Sequence, residues 1–103
     1  MKNAIAKQKI SDQQQLLTNK LRAFGSIPRL KIMMCLGESP KNVTQLTGNC
    51  GLTQSAVSQH LSKLKTAGLL QCHCQGRERV YFLTDKKTAN ICKYLLNLLD
   101  KQA

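Results

Sequence analysis

Five cysteines and two histidines are the side chains of this 103-residue sequence best equipped for metal or redox chemistry. Cys72-His73-Cys74 has the composition of a metal motif, but its surroundings read as a β-strand. In a strand, residues i and i+2 share a face about 6.5 to 7 Å apart, and residue i+1 points to the other face. His73 is therefore expected away from Cys72 and Cys74. Those two sulfurs are also too far apart for a disulfide, whose Cβ atoms sit about 3.8 Å apart. A site using Cys72 and Cys74 with a ligand from elsewhere in the chain stays open. Cys35 lies among Met33, Met34 and Leu36, where a thiol is either a small buried hydrophobe or a reactive sulfur. Cys92 precedes Lys93, whose charge favours a thiolate if the two approach; otherwise Cys92 packs its helix. Cys50, before Gly51-Leu52, reads as structural. Catalysis is not expected, because there is no glycine-rich phosphate loop and no set of nucleophile, base and orienting group.

A second group of residues has the chemistry of base and phosphate recognition. Thr53 is placed to cap a helix running from about Gln54 to Ala67. Ala56, Val57, Leu61 and Leu64 must face inward, which leaves Gln54, Ser55, Ser58, Gln59, Lys63 and Lys65 on other faces. Glutamine pairs with adenine through two hydrogen bonds, and serine serves several bases. The competing reading is an ordinary solvated helix face. His60 is either a phosphate contact or a structural histidine. Beside Gly76, Arg77 and Arg79 suit phosphate or a narrow minor groove, or are simply charges on an exposed turn.

The elements that position these residues follow from local signals. Leu17, Leu21 and Phe24 recur at helical spacing from about Asp12, and Gly25 ends that helix. Pro28 suits the first turn of a mostly apolar, buried helix that is expected to stop at Gly37. Asn42 caps a short helix to about Gly48, followed by a turn over Gly48-Asn49-Cys50-Gly51. The Thr53 helix comes next and breaks at Gly68, so the pair forms a helix-turn-helix. Alternation at Leu70, Cys72 and Cys74, a turn at Gln75-Gly76 and β-formers from Arg77 to Leu83 make a hairpin. Asp85 is expected to cap a last helix reaching about Lys101, with Ile91, Leu95, Leu98 and Leu99 on its apolar face. The expected fold is mainly α with a β-hairpin wing: a winged helix-turn-helix, in one domain over residues 1–103.

Sixteen Lys and Arg against five Asp and Glu give a net charge of +11, which calls for a polyanionic partner. Nucleic acid leads, with an anionic membrane surface second. Two Phe, two Tyr and no Trp make a poor stacking platform, which favours duplex DNA over single strands. No apolar run approaches a membrane span, and Met1 to Ile10 carries Lys2, Lys7 and Lys9 without a signal-peptide core, so the expectation is a cytoplasmic protein. An odd number of cysteines argues against a secreted disulfide framework.

Pro28-Arg29-Leu30-Lys31-Ile32-Met33, the string Leu52 to Leu61, Leu64, the break Ala67-Gly68-Leu69 and the wing end Val80-Tyr81-Phe82-Leu83 together resemble the ArsR/SmtB family of winged-helix repressors. The resemblance covers nearly the whole chain. It implies a homodimer built from the first and last helices, and an inverted-repeat DNA operator released when a signal is sensed. The family's cysteine-rich metal motif would fall on Val43 to Gly48, which holds no ligand. Its histidine-containing site on the last helix would find Asp85 and Asp100 but no histidine, so no metal or other cofactor is expected. The resemblance also places Cys35 at the first cysteine of a subgroup that senses oxidants or reactive sulfur. The second cysteine of that subgroup would fall near Asp100; Cys92 lies about two turns earlier. The resulting reading is a repressor whose operator binding is released by thiol chemistry at Cys35, with Cys92 as its partner. A metal- or metalloid-responsive repressor with a non-standard cysteine site, and a constitutive DNA binder without effector, are the alternatives.

Overall fold

The computed structural model describes residues 11–100, the side chain of Asp100 excepted. The reading of Met1 to Ile10 and the helix end near Lys101 lie outside this range. Five helices and one hairpin follow in the order α1 (Asp12–Ala23), α2 (Ile27–Glu38), α3 (Val43–Cys50), α4 (Gln54–Thr66), β1 (Leu70–Gln75), β2 (Glu78–Leu83) and α5 (Thr88–Asp100).

Side-chain caps start four of these helices by satisfying backbone N–H groups that have no partner inside the helix. Ser11 Oγ accepts from Gln14 N, and Gln14 Oε1 accepts in return from Ser11 N, a reciprocal capping box. Asn42 and Gln45 repeat the arrangement at 2.8 and 2.9 Å. Ser26 caps α2 ahead of Pro28, and Thr53 Oγ1 accepts from Ala56 N at 3.1 Å to begin α4. Gly51 and Gly68 end α3 and α4 at φ of 66° and 81°, a left-handed backbone that glycine adopts without steric cost.

Three boundaries differ from those expected. Helix α2 continues through Gly37, because the absence of a side chain there serves packing and not termination. A Cβ on Gly37 would collide with Ala89 Cβ of α5. Helix α3 extends to Cys50, so the turn shrinks to Gly51 and Leu52. Helix α5 starts at Thr88, since Asp85 spends its carboxylate on a local turn and accepts from Lys87 N at 2.9 Å.

The core surrounds α2. Ile32 and Met33 have no exposed surface, nor do Leu46 of α3, Val57 and Leu64 of α4, or Cys92 of α5. The strands pair antiparallel, from Leu70 opposite Leu83 to Gln75 opposite Glu78. Lys41 exchanges two backbone hydrogen bonds with Tyr81, at 3.0 and 2.8 Å, and so ties the α2–α3 connection to the wing. The Lys41 ammonium also donates to the Cys35 carbonyl at 2.7 Å, closing the last turn of α2.

Replacing Gly37 by Ala sets a helix-propensity gain of about 1 kcal/mol against an overpacking cost of about 1 to 3 kcal/mol. The close Ala89 contact makes the cost prevail. Gly37→Ala should lower the melting temperature, and Ala89→Gly in the same chain should restore part of the loss. A more stable Gly37→Ala protein would contradict this packing.

Candidate nucleic-acid interface

Helix α4 divides as its periodicity predicts. Val57, Leu61 and Leu64 are buried, while Gln54, Ser55, Ser58, Gln59, Lys63 and Lys65 are exposed. Thr53 is exposed but its hydroxyl oxygen is engaged by the cap. The amino-terminal half of α4 therefore presents a row of neutral hydrogen-bonding side chains, and its last turn carries Lys63 and Lys65.

The hairpin extends this surface. Arg79 and Tyr81 of β2 share a cleft of about 330 Å³ with Ser58, Ser62 and Lys65 of α4. Arg79 is thereby brought beside the helix, while Arg77 stands exposed at the Gly76-Arg77 turn, where Gly76 has φ of 63°. The strand reading of the Cys-His-Cys run holds. Cys72 faces α4, where Lys65 Nζ donates to its sulfur at 3.3 Å, whereas the His73 ring lies 5.5 Å from Phe82. Among the described residues, no group of three or more His, Cys, Asp or Glu side chains could hold a metal ion.

His60 is half-buried, and its Nδ1 has no hydrogen-bond partner. Burial first, then the nearby Arg29 and Lys63 cations, lower its pKa, so the ring is neutral at pH 7. The bases around it were only partly legible in the sequence. Arg22 of α1 and Arg29 of α2 line one cleft with Ser62 and Lys63, which adds two cations from outside the helix-turn-helix. Arg29 follows Pro28 at the first turn of α2, a position the sequence marks but does not orient.

The thiols separate into distinct environments. Cys35 is half-buried on α2, and Cys50 of α3 stands beside it; the two line one cleft. Burial, then the adjacent Cys35 thiol, push Cys50 up to about 11, with Lys31 opposing. Cys50 thus has a thiol neighbour that its place in the sequence did not reveal. Cys92 is 0% exposed within the core, and burial alone pushes it up to about 11. That environment is one of packing, whatever the charge of Lys93 nearby in sequence.

A short recognition-type helix, a preceding helix at a glycine turn and a hairpin laid alongside define a winged helix-turn-helix. The comparisons with known proteins agree. The profile of the bacterial regulatory protein, arsR family, matches residues 28–71. The chain is 39% identical over 71 residues to the HTH-type transcriptional repressor SmtB of Mycobacterium tuberculosis, across 69% of this chain and 53% of SmtB. It therefore spans about half the length of that relative. The transcriptional repressor PagR of Bacillus anthracis superposes with a TM-score of 0.70 at 33% identity, covering 81% of this chain and 95% of PagR. HlyU of Vibrio cholerae does so with 0.71 at 26% identity, covering 85% and 96%. The chain belongs to the arsR family of bacterial regulatory proteins.

Burial of Cys92 has a measurable consequence. A thiol whose pKa rises from 9.0 to about 11 on folding stays protonated in the native state while the unfolded chain ionises. Its stability contribution is complete below pH 9 and is lost as pH climbs toward 11. At about 1.4 kcal/mol per pH unit, the loss reaches at most about 3 kcal/mol. Cys92→Ala should therefore show a shallower fall in denaturant-measured stability between pH 8.5 and 10.5, by about 1 to 3 kcal/mol. Parallel curves for the two proteins would contradict a thiol buried in this way.

Proposed function

We propose that the chain, as a single domain over residues 1–103, is a transcriptional repressor that binds a duplex DNA operator as a homodimer and lets go on a thiol-directed signal, an oxidant or reactive sulfur, that is received at Cys35. The observation that carries the DNA-binding part is the continuous surface of α4 and the wing, where uncharged base-reading side chains are flanked by Lys63, Lys65, Arg77 and Arg79. In the roles this assigns, Gln54, Ser55, Ser58 and Gln59 enter the major groove, with Thr53 at the helix start. Lys63, Arg77 and Arg79 hold phosphates, and His60 supports α4 as a neutral ring.

The dimer is supported by apolar surface that one chain leaves in water. Leu16, Leu17 and Leu21 on α1 are 56 to 62% exposed, and Ile91, Tyr94, Leu98 and Leu99 on α5 are 42 to 66% exposed. Leu17, Leu21 and Ile91 line one apolar groove between these two helices. Such a patch on a soluble chain marks an association surface, and a second copy supplies a matching one. Operators read by two-fold dimers are inverted repeats. Among the described residues no helix is long and apolar enough to cross a membrane.

The thiol signal is supported by Cys35 being half-buried on a helix that packs against both α3 and α5. Conversely, the sealed environment of Cys92 favours packing over sensing. One of the solved relatives, HlyU, is also known in a form described as reduced HlyU.

Fluorescence anisotropy against labelled duplexes tests the binding mode. With six to ten phosphate contacts, affinity should fall about 10³- to 10⁵-fold between 50 and 200 mM salt. Gln54→Ala or Gln59→Ala should cost about 1 to 3 kcal/mol of discrimination between operator and unrelated duplex. Arg77→Ala should weaken both duplexes alike, because phosphate contacts carry no sequence information. A flat salt response removes duplex DNA as the partner. For the dimer, Leu21→Glu with Leu98→Glu should sediment as a folded monomer that has lost operator affinity; an unchanged sedimentation coefficient contradicts the assigned interface.

A further inference from the structure

A Cys35 sulfur activated by an oxidant needs a second thiol inside the protein to close a disulfide. The core-sealed Cys92 is one candidate and Cys50 is the other. Cys35 and Cys50 line the same open cleft of about 320 Å³, together with Lys31, Met34, Glu38 and Asn49. The cleft gives a small oxidant access to both sulfurs, whereas Cys92 has no exposed surface. Cys50 is also the last residue of α3. After it come Gly51 in the left-handed conformation, Leu52, and Thr53, whose hydroxyl caps α4.

We propose that Cys35 and Cys50 are a dithiol switch that closes into an intramolecular disulfide and transmits that closure through the Gly51-Leu52 turn to helix α4. This rests on the thiol-responsive repressor reading and names its second sulfur. A low-molecular-weight disulfide such as oxidised glutathione is a sufficient oxidant. The Cys35 sulfur attacks one glutathione sulfur, forming a mixed disulfide and releasing one glutathione as leaving group. The Cys50 sulfur then attacks the Cys35 sulfur and releases the second. Two protein S–H bonds are lost, one protein S–S bond is made, and the oxidant's S–S bond is reduced. The two protons end on the two glutathione thiols.

The second step starts from a protonated Cys50 and proceeds through its thiolate. In the reduced protein, burial and the neighbouring Cys35 thiol keep Cys50 protonated. Lys31, which lines the same cleft, opposes that burial and favours the thiolate this step requires. Closure then has a mechanical effect. A disulfide requires Cβ atoms about 3.5 to 4.5 Å apart with a restricted torsion. Meeting that geometry fixes the end of α3 to α2 and acts on a joint only three residues from the α4 cap.

Tryptic peptides separate the possibilities, because Cys35 falls in residues 32–41, Cys50 in 42–63, Cys72 and Cys74 in 66–77, and Cys92 in 88–93. The full chain is reduced, treated with oxidised glutathione, digested without reductant and mapped by mass spectrometry. Operator binding is measured on the same samples. The expected result is a link between peptides 32–41 and 42–63, with operator affinity lowered about 5- to 150-fold, the range of ordinary allosteric coupling. Cys50→Ser should bind operator normally when reduced, accumulate glutathione on Cys35, and lose most of the response. A 32–41 to 88–93 link, or a Cys50→Ser protein that responds like the parent, overturns the role of Cys50 and leaves the thiol-responsive reading standing. A Cys35–Cys50 link with unchanged operator affinity overturns the switch and that reading together.

Discussion

Helix α2 meets α5 at a contact that only the smallest residues permit, Gly37 against Ala89. The close approach lets Ile32, Met33 and Leu36 of α2 lose their solvent exposure and seals Cys92 into the same core. It also fixes which face of α5 remains outside. With one side of α5 committed to α2, Ile91, Tyr94, Leu98 and Leu99 are left exposed. The remaining sides of α2 receive α3, α4 and β2, so one buried helix supports both the helix-turn-helix and the helix that offers an association surface. A displacement of α2 relative to either partner would be felt by both, because packed interiors shift as units and do not deform smoothly.

The division between structural and functional residues follows from this frame. In α4 the apolar residues are consumed by the core, which frees the neutral polar side chains near its start and the lysines near its end. The hairpin is positioned from both sides: its base is buried through Leu70, Val80 and Leu83, and Tyr81 is bound to the Lys41 backbone. That anchoring brings Arg79 alongside Ser58, Ser62 and Lys65, so cations from separate elements converge on one cleft. A net charge of +11 is tolerable for a folded chain of this size when a polyanion neutralises part of it on binding.

The elements set by local chemistry were legible in the sequence. Asn42 and Thr53 sit where their side chains reach a backbone N–H three residues on, and the alternating Leu70 to Cys74 run implies a strand by its period alone. What depended on through-space contacts was not legible. Gly37 carries the signature of a helix end, and only the position of Ala89 reveals a packing role. Asp85 resembles a helix cap, yet its carboxylate is satisfied one turn too early. Cys50 looked like a turn residue because Gly48 and Gly51 flank it, and fifteen positions of chain separate it from the thiol beside which it stands. Arg22 and Arg29 reach the Lys63 cleft from two other helices, a convergence no spacing rule encodes.

The central claim is that two copies of the α4-and-wing surface read one duplex. Selection of bound sequences from a random duplex library, using the reduced chain, tests it directly. A two-fold dimer with one recognition helix per chain predicts an enriched inverted repeat whose half-site centres lie about 10 to 10.5 base pairs, or a multiple of that, apart. Enrichment of a single unrepeated half-site, or of no sequence at all, would contradict the account.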